Sequence, residues 1–412
     1  MLSVEEAQER ILSAFRPLET ERVDLFQALD RVLAEDIQAD MNIPPLDNSS
    51  MDGYTVRAAD TVSASADHPV QLKVIHDLAA GYVTELRVEQ GMAIRIMTGA
   101  PIPGGADAVV PFEETDEGQG DHRGPASRDQ VQVLKAARRG ANIRPAGEDV
   151  HLGETVLTKG SVVRPAEVGL LASVGRPSVL VHRRPRVAIL ATGDELVGVD
   201  QVPGPGQIRN SNNYTVAAAV LRYGGVPLML GIARDNIPDL TAKIQAGLRE
   251  QPDLFITSGG VSTGDFDVVK NVLAAEGEIA FWRVRMKPGK PLAFGKLHGV
   301  PHLGLPGNPV SSLVSFELFA RPALLRMQGR TRLDKPTVEA TMLDGVRHKD
   351  DRRHYMRVIV EKQGSEYVAR LTGEQGSGIL SSVTKANGLA IAPEEMTSVA
   401  AGTRLQVMLL DA

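Results

Sequence analysis

Four carboxylates, Glu195, Asp235, Asp265 and Asp267, each stand just after, or one turn beyond, a stretch that reads as a strand of one sheet. Grouped at one rim, without cysteine or an ordered histidine pair, they are hard oxygen ligands of the kind that hold Mg²⁺ together with substrate phosphates. Taken singly, each could equally cap the helix that follows. Among them runs Ser258-Gly259-Gly260-Val261-Ser262-Thr263-Gly264, where three glycines and three hydroxyls leave backbone N–H groups bare at a helix start. Such a loop suits an anion. It matches neither the Walker loop nor the dinucleotide fingerprint. Gly260 to Gly264 is also a formal G-x-S-x-G, so a serine hydrolase attacking through Ser262 is a rival reading, weakened by the absence of an acid-then-His order downstream. A third group is cationic: Arg283, Arg285 and Lys287 alternate along what reads as one strand, and the Pro288-Gly289 turn presents Lys290 nearby. Facing the glycine loop, such a row would bind a polyanion.

Polar segments elsewhere are denser than plain turns need. Asp47-Asn48-Ser49-Ser50-Met51-Asp52-Gly53-Tyr54 packs two Asp, an Asn and two Ser into six residues. Thr98 within Met97–Gly105, and Asp149 within Gly147–Val150, are further candidates, although an ordinary loop explains either alone. His298 and His302 have the i, i+4 spacing of a zinc helix, but Gly299 and Pro301 forbid that helix.

The elements that must position these groups are readable from periodicity. Ser3 and Glu6 form a capping box ahead of an amphipathic helix that Pro17 stops. From about 70 to 133 short alternating stretches broken by Gly, Pro, Asp and Ser indicate a small β-rich domain, with 116–128 as an exposed hairpin loop. Residues 140–164 are β-like, 165–174 helical, and 183–186 a linker. Between 186 and 330 strands (186–190, 226–231, 254–257) alternate with helices (213–222, 238–250, 266–276), the pattern of a parallel sheet covered on both faces, with ligands beyond the strand C-termini. A long helix over 309–327, bent or broken at Pro322, precedes short strands over 336–411. The fold class expected is therefore α/β plus β-rich subdomains: a central doubly wound, mostly parallel sheet, N-terminal β-rich subdomains and a small C-terminal β domain. The division expected is 1–44 with 140–182, an inserted 45–139, then 183–330 and 331–412.

Composition narrows the classes. With 45 Lys and Arg against 51 Asp and Glu, the net charge of −6 gives no basic excess for nucleic acid. No apolar run approaches a membrane span and no signal segment opens the chain, so a soluble cytoplasmic protein is expected. The chain contains 0 Cys, so any soft-metal chemistry must use sulfur from a ligand.

Taken together, Asp47–Tyr54, Met97-Thr98-Gly99-Ala100-Pro101, Thr192-Gly193-Asp194-Glu195-Leu196, Ser258–Asp265, Lys287-Pro288-Gly289-Lys290-Pro291 and Leu305-Pro306-Gly307-Asn308-Pro309-Val310 closely resemble the molybdenum-insertase family, the molybdopterin molybdenumtransferases that include the gephyrin E domain. The resemblance covers almost the whole chain in order. It implies a homodimer of four-subdomain chains that inserts molybdenum from molybdate into adenylylated molybdopterin, with Mg²⁺ and release of AMP, and an upstream adenylyltransferase as a possible contact. It further implies that Glu195, Asp235 and Asp267 serve the metal and adenylate end, Glu195 and Asp235 being catalytic as well. Lys287 matches a catalytic lysine, and Asp52, Thr98 and Asp149 match active positions of the N-terminal subdomains. Pro306 and Pro309 match a rigid loop beside the pterin, while Arg352 or Arg353 pairs with Ser377 at an anion site. Ser258, Gly259, Gly260, Ser262, Arg283 and Lys290 complete the expected substrate contacts. Where the family often has a second lysine this chain has Arg283, which keeps the charge but transfers no proton. The alternative within the same fold is a dimeric scaffold without turnover.

Overall fold

The computed structural model describes residues 1–118, 129–260, 268–347 and 350–411. The chain divides into two compact units: 1–34, 160–164 and 179–412 form one, and 35–159 with 165–178 the other.

The second unit is built on a five-stranded sheet in the order Ala108–Pro111, Gly53–Val56, Met92–Ile96, Val70–Leu78, Gln130–Val133. Its inward side chains, among them Tyr54, Val56, Leu72, Ala93, Val110 and Val131, form one apolar cluster. The polar segment 47–54 is short strand and turn: Asn48–Ser49 pairs with Ile143–Arg144 and leads directly into Gly53–Val56.

In the larger unit the capping box is present in both directions, with Ser3 Oγ accepting from Glu6 N at 3.0 Å and Glu6 Oε2 accepting from Ser3 N at 2.7 Å. The helix Val4–Ser13 places Val4, Ala7 and Ile11 against the central sheet's core. That sheet runs Val226–Ala233, Arg186–Thr192, Leu254–Ser258, Val300–Leu305, Pro291–Leu297, Gly277–Arg283. The first four strands are parallel, and the last two are joined through antiparallel pairings, so that only Pro291–Leu297 runs against the rest. Alternation along Arg186–Thr192 sends Val187 and Ile189 to one core and Ala188 and Leu190 to another, because both faces are covered by helices. All four parallel strands end at one edge, and that edge carries the Thr192, Ala233, Ser258 and Leu305 loops.

Two expectations are corrected. The helix over 309–327 does not break at Pro322: it widens to a π-helical turn over Phe316–Ala320, between α-helical Pro309–Ser315 and Arg321–Met327, so the register changes before the proline and Pro322 lies in a first turn that needs no N–H. Nor is the cation row one strand. Arg283 ends an edge strand of the central sheet, whereas Met286 and Lys287 pair with Arg353 and His354 of the C-terminal sheet, because buried Val284 and Met286 enter the core between them. That C-terminal sheet closes on itself through Arg353–Gln363, Glu366–Leu371, Thr337–Met342, Arg404–Leu409 and Gly388–Ala392, the last pairing back with the first, so no free edge remains among these five strands. No helix among the described residues is long and apolar enough to cross a membrane.

Candidate active site

Two cavities share Asn308, the residue that caps the helix starting at Pro309. The first, of about 630 Å³, lies where the barrel meets the Lys287–Pro291 turn. Parallel pairing of Lys287 with His354 sets the lysine beside the start of a barrel strand. Asp350 gathers three donors there: Arg352 Nη2 donates to Oδ2 at 2.8 Å, His354 Nε2 lies 2.8 Å from Oδ1, and Lys287 Nζ stands 3.4 Å from Oδ2. The Arg352 guanidinium above all, then His354, holds the Asp350 carboxyl well below the usual carboxylate range. Lys290, Ser311, Arg347, Gln375 and Ser377 add to the polar lining.

Arg357 also borders this cavity and is 1% exposed. Its Nε donates to Ser382 Oγ at 3.0 Å and its Nη2 to Gly376 O at 3.0 Å; among the described residues no carboxylate lies within ion-pair distance of it. Burial pulls its guanidinium down to about 10, which still leaves it charged at neutral pH. A buried cation satisfied by neutral acceptors projects its charge into the cavity, where an oxyanion would neutralise it. Gly289, at φ 103°, lets the turn fit: a Cβ there would meet Ser315 Oγ and Met286 Cε at 2.7 Å.

The second cavity, of about 390 Å³, opens at the sheet's C-terminal edge and is lined by Thr192, Glu195, Asn212, Ser258, Gly259, Gly307 and Pro309. It is nearly neutral. Asn212 Nδ2 donates to Ser258 Oγ at 2.8 Å and to Gly307 O at 2.7 Å, tying helix, strand end and loop together. Gly259 has φ 97°, and a Cβ there would stand 2.7 Å from Thr192 O. The buried Thr192 Oγ1 has no hydrogen-bond partner among the described residues, so it is an unused polar group at the cavity wall.

Glu195 is exposed and lines the second cavity; Asp235, also exposed, follows the neighbouring strand, and its N–H donates to Asp194 Oδ1 at 3.2 Å, which holds the two loops side by side. Ser262, Asp265 and Asp267 lie outside the described residues, and among the described ones no three carboxylates or histidines are grouped as a metal site. Two exposed carboxylates on adjacent strand ends nonetheless fit the sparse protein share that Mg²⁺ takes beside phosphates. Arg353 is not available to an anion, being paired with Glu5 and with Glu394 at 3.2 Å, so of the two neighbours only Arg352 faces the first cavity. Arg283 is exposed and lines neither cavity. Gly260 and buried Pro306 shape the loops without lining either of these two cavities. His302 is fully buried against Thr257 Oγ1 at 3.0 Å, and His298 pairs with Glu276 at 2.9 Å, so the two do not share a ligand.

In the smaller unit Asp52 Oδ1 accepts from Thr98 N at 2.7 Å and from Thr98 Oγ1 at 2.8 Å, and these donors, the backbone N–H first, hold the Asp52 carboxyl below its usual value. Asp149 is exposed, with its N–H donating to Ile43 O at 2.9 Å. Reading the sequence did not single out Asp350, His354, Arg357, Asn212 or Asn308. The available signal was Arg357, a charge inside the apolar run Tyr355–Val360.

Three family descriptions match in order along the chain: "MoeA N-terminal region (domain I and II)" over residues 2–175, "Probable molybdopterin binding domain" over 188–326 and "MoeA C-terminal region (domain IV)" over 339–410. Molybdopterin molybdenumtransferase 2 of Mycobacterium tuberculosis is 39% identical, with 99% of each chain covered. The molybdopterin molybdenumtransferase of Bacillus subtilis is 36% identical over 99% of this chain and 94% of its own. The crystal structure of a molybdopterin biosynthesis MoeA protein from Pyrococcus horikoshii superposes with a TM-score of 0.82 at 32% identity, covering 99% of both chains. With relatives matched end to end in sequence and in fold, this chain belongs to the MoeA family, the molybdopterin molybdenumtransferases.

Proposed function

We propose that the chain is a transferase of molybdenum cofactor biosynthesis that inserts molybdenum from molybdate into adenylylated molybdopterin and releases AMP. The observation that carries this reading is the pairing of the two cavities about Asn308: one cationic, with Lys287, Lys290, Arg352 and Arg357, the other of zero net charge, with one carboxylate, Glu195, and one cation, Arg209. A tetrahedral oxyanion fits the first, where Lys287, Lys290, Arg352 and Ser377 bind it and orient it. The pterin adenylate fits the second, with Ser258, Gly259 and Gly260 at its phosphates and Pro306 and Pro309 fixing the loop beside the pterin. Mg²⁺ held by Glu195, Asp235 and Asp267 would supply charge neutralisation at those phosphates. Zero cysteines suit this chemistry, since the dithiolene that finally holds the soft metal belongs to the substrate.

Asp52, Thr98 and Asp149 complete the site in this reading, contributed across a homodimer by the N-terminal subdomains. The four-part division 1–44 with 140–182, 45–139, 183–330 and 331–412 then describes the working subdomains of a cytoplasmic enzyme supplied by an adenylyltransferase. The test is incubation with adenylylated molybdopterin, molybdate and Mg²⁺, scored by AMP release. Stoichiometric, molybdate-dependent AMP is expected, and its absence overturns the proposal. Mixing refolded Asp52→Ala and Lys287→Ala chains tests the crossed dimer: about a quarter of wild-type activity is expected under twofold symmetry, and none if each site is built within one chain.

A further inference from the structure

We propose that a third cavity, at the far end of the helix that begins at Pro309, is a binding site for a phosphate-type dianion. It measures about 430 Å³ and lies within the larger unit, between the end of helix Asn212–Arg222, the end of helix Arg321–Met327 and the segment 330–336. It shares no residue with the two cavities at Asn308. Arg321 lies twelve helical steps beyond Pro309, roughly 18 Å along the axis.

Three of its cations are structural and buried. Arg31 is paired with Glu21 and donates to His182 O at 2.7 Å. Arg321 and Lys335 share one carboxylate, Glu317, at 3.4 and 3.6 Å, and Glu317 also accepts from Tyr223 Oη at 2.9 Å. One negative charge against two buried positive ones leaves an excess, and burial pulls both Arg321 and Lys335 below their usual values. Four more cations line the opening: Arg184, Arg222, Arg330 and Arg332. Arg222 stands 3.7 Å from Asp411, but no carboxylate lies within 4.0 Å of Arg184, Arg330 or Arg332 among the described residues. Arg330 donates through Nη2 to Asp30 O at 2.7 Å, while its buried Nε has no partner among the described residues.

Seven cationic groups thus face two lining carboxylates, Asp30 and Asp334, with Glu21, Glu317 and Asp411 paired behind them, an excess of two positive charges. An excess of this size, mostly in planar guanidinium forks around a compact space, matches a doubly charged tetrahedral anion in charge, hydrogen-bond geometry and size. Free phosphate and the phosphate of a nucleoside monophosphate offer the same chemistry.

The test uses the full chain and two probes, inorganic phosphate and AMP, followed by titration calorimetry and by the rise in Tm. The double variant Arg184→Ala with Arg332→Ala removes two exposed groups, so its unliganded Tm serves as the folding control. At least one probe should bind to wild type and to Lys287→Ala and lose tenfold or more in affinity in the double variant. If phosphate alone behaves so, the ligand is the free ion; if AMP does, it is a phosphate ester. Equal binding of both probes to the double variant and wild type, or loss of all binding in Lys287→Ala, would overturn the proposal.

Discussion

The two cavities that meet at Asn308 solve anion handling in opposite ways. On the barrel side the charges are preassembled: Asp350 pins Lys287, Arg352 and His354 to the start of one strand, and Arg357 is locked by neutral acceptors. On the sheet side the two charged lining residues, Glu195 and Arg209, cancel, and backbone geometry carries the design through Gly259, Gly307 and the Asn212 tie. Charge on rigid strands gives attraction to a small ion; bare backbone at strand ends gives close approach to a large, shaped ligand. A lesion on one side should therefore change ion affinity, and a lesion on the other should change fit.

The strongest way to break this comparison is Lys287→Ala. Losing a cation on the transferring oxyanion should lower AMP release by about a hundredfold or more, while binding of the adenylated pterin changes little. If substrate binding falls in step with turnover, the division of labour is wrong. Gly259→Ala is the mirror experiment. The residue would keep φ near 97° with its Cβ 2.7 Å from Thr192 O, a clash with backbone that costs roughly 2–4 kcal/mol. Pterin-adenylate affinity should drop and molybdate binding should survive, measured by calorimetry on the same preparation.

How much of this was legible in the sequence follows from the range of the interactions. The parallel strands and helices between 186 and 276 repeat a local pattern, so their places could be read to within about two residues. The cation row could not, because a two-residue strand at Met286–Lys287 joins another sheet by pairing with residues 67 positions away, and no local alternation encodes that. Barrel closure through Met356–Ala390 pairing is equally non-local, and Arg357 is buried only because the barrel closes. The composition of the Leu305–Val310 and Ser258–Gly260 loops was legible, since their glycines and prolines answer to local backbone demands; Asn212, which ties them together, comes from a helix elsewhere in the chain.

The pH response sharpens the contrast between sheet and barrel. Burial pushes His302, inside the sheet, down to about 3. Its folded value lies below the unfolded 6.5, so below pH 6.5 the unfolded chain takes up a proton that the folded sheet refuses, and stability is lost progressively as pH falls toward 3. At pH 5 this amounts to about 2 kcal/mol. The difference in unfolding free energy between wild type and His302→Gln should therefore slope between pH 6.5 and 5, and a flat difference would count against it. Asp350 behaves otherwise: its folded value is lowered, so its contribution is present above the usual carboxylate range and disappears only as pH falls below it.

The smallest effect, and the most discriminating, is expected from Asp350→Asn. The carboxylate stands among the cations that an incoming oxyanion would use, so it is at once their organiser and the ligand's competitor. Two terms oppose each other when its charge is removed. Freed Arg352 and Lys287 attract a dianion more strongly; one charge acting on two over about 5 Å at an effective dielectric between 20 and 80 is worth roughly 2–7 kcal/mol, the low end applying because the site is open to water. Against this, the lost organisation resembles that of a partly exposed ion pair, about 0–1 kcal/mol, and asparagine keeps an acceptor for Arg352. The balance favours attraction, so molybdate should bind about three- to twentyfold tighter in Asp350→Asn, with a steeper salt dependence. Asp350 stays ionised well below neutrality, so in wild type the competition from its carboxylate persists down to pH 5. Weaker binding in the variant would mean that Asp350 serves chiefly to aim Lys287 and Arg352, and that the barrel cavity, like the sheet cavity, works by geometry more than by charge.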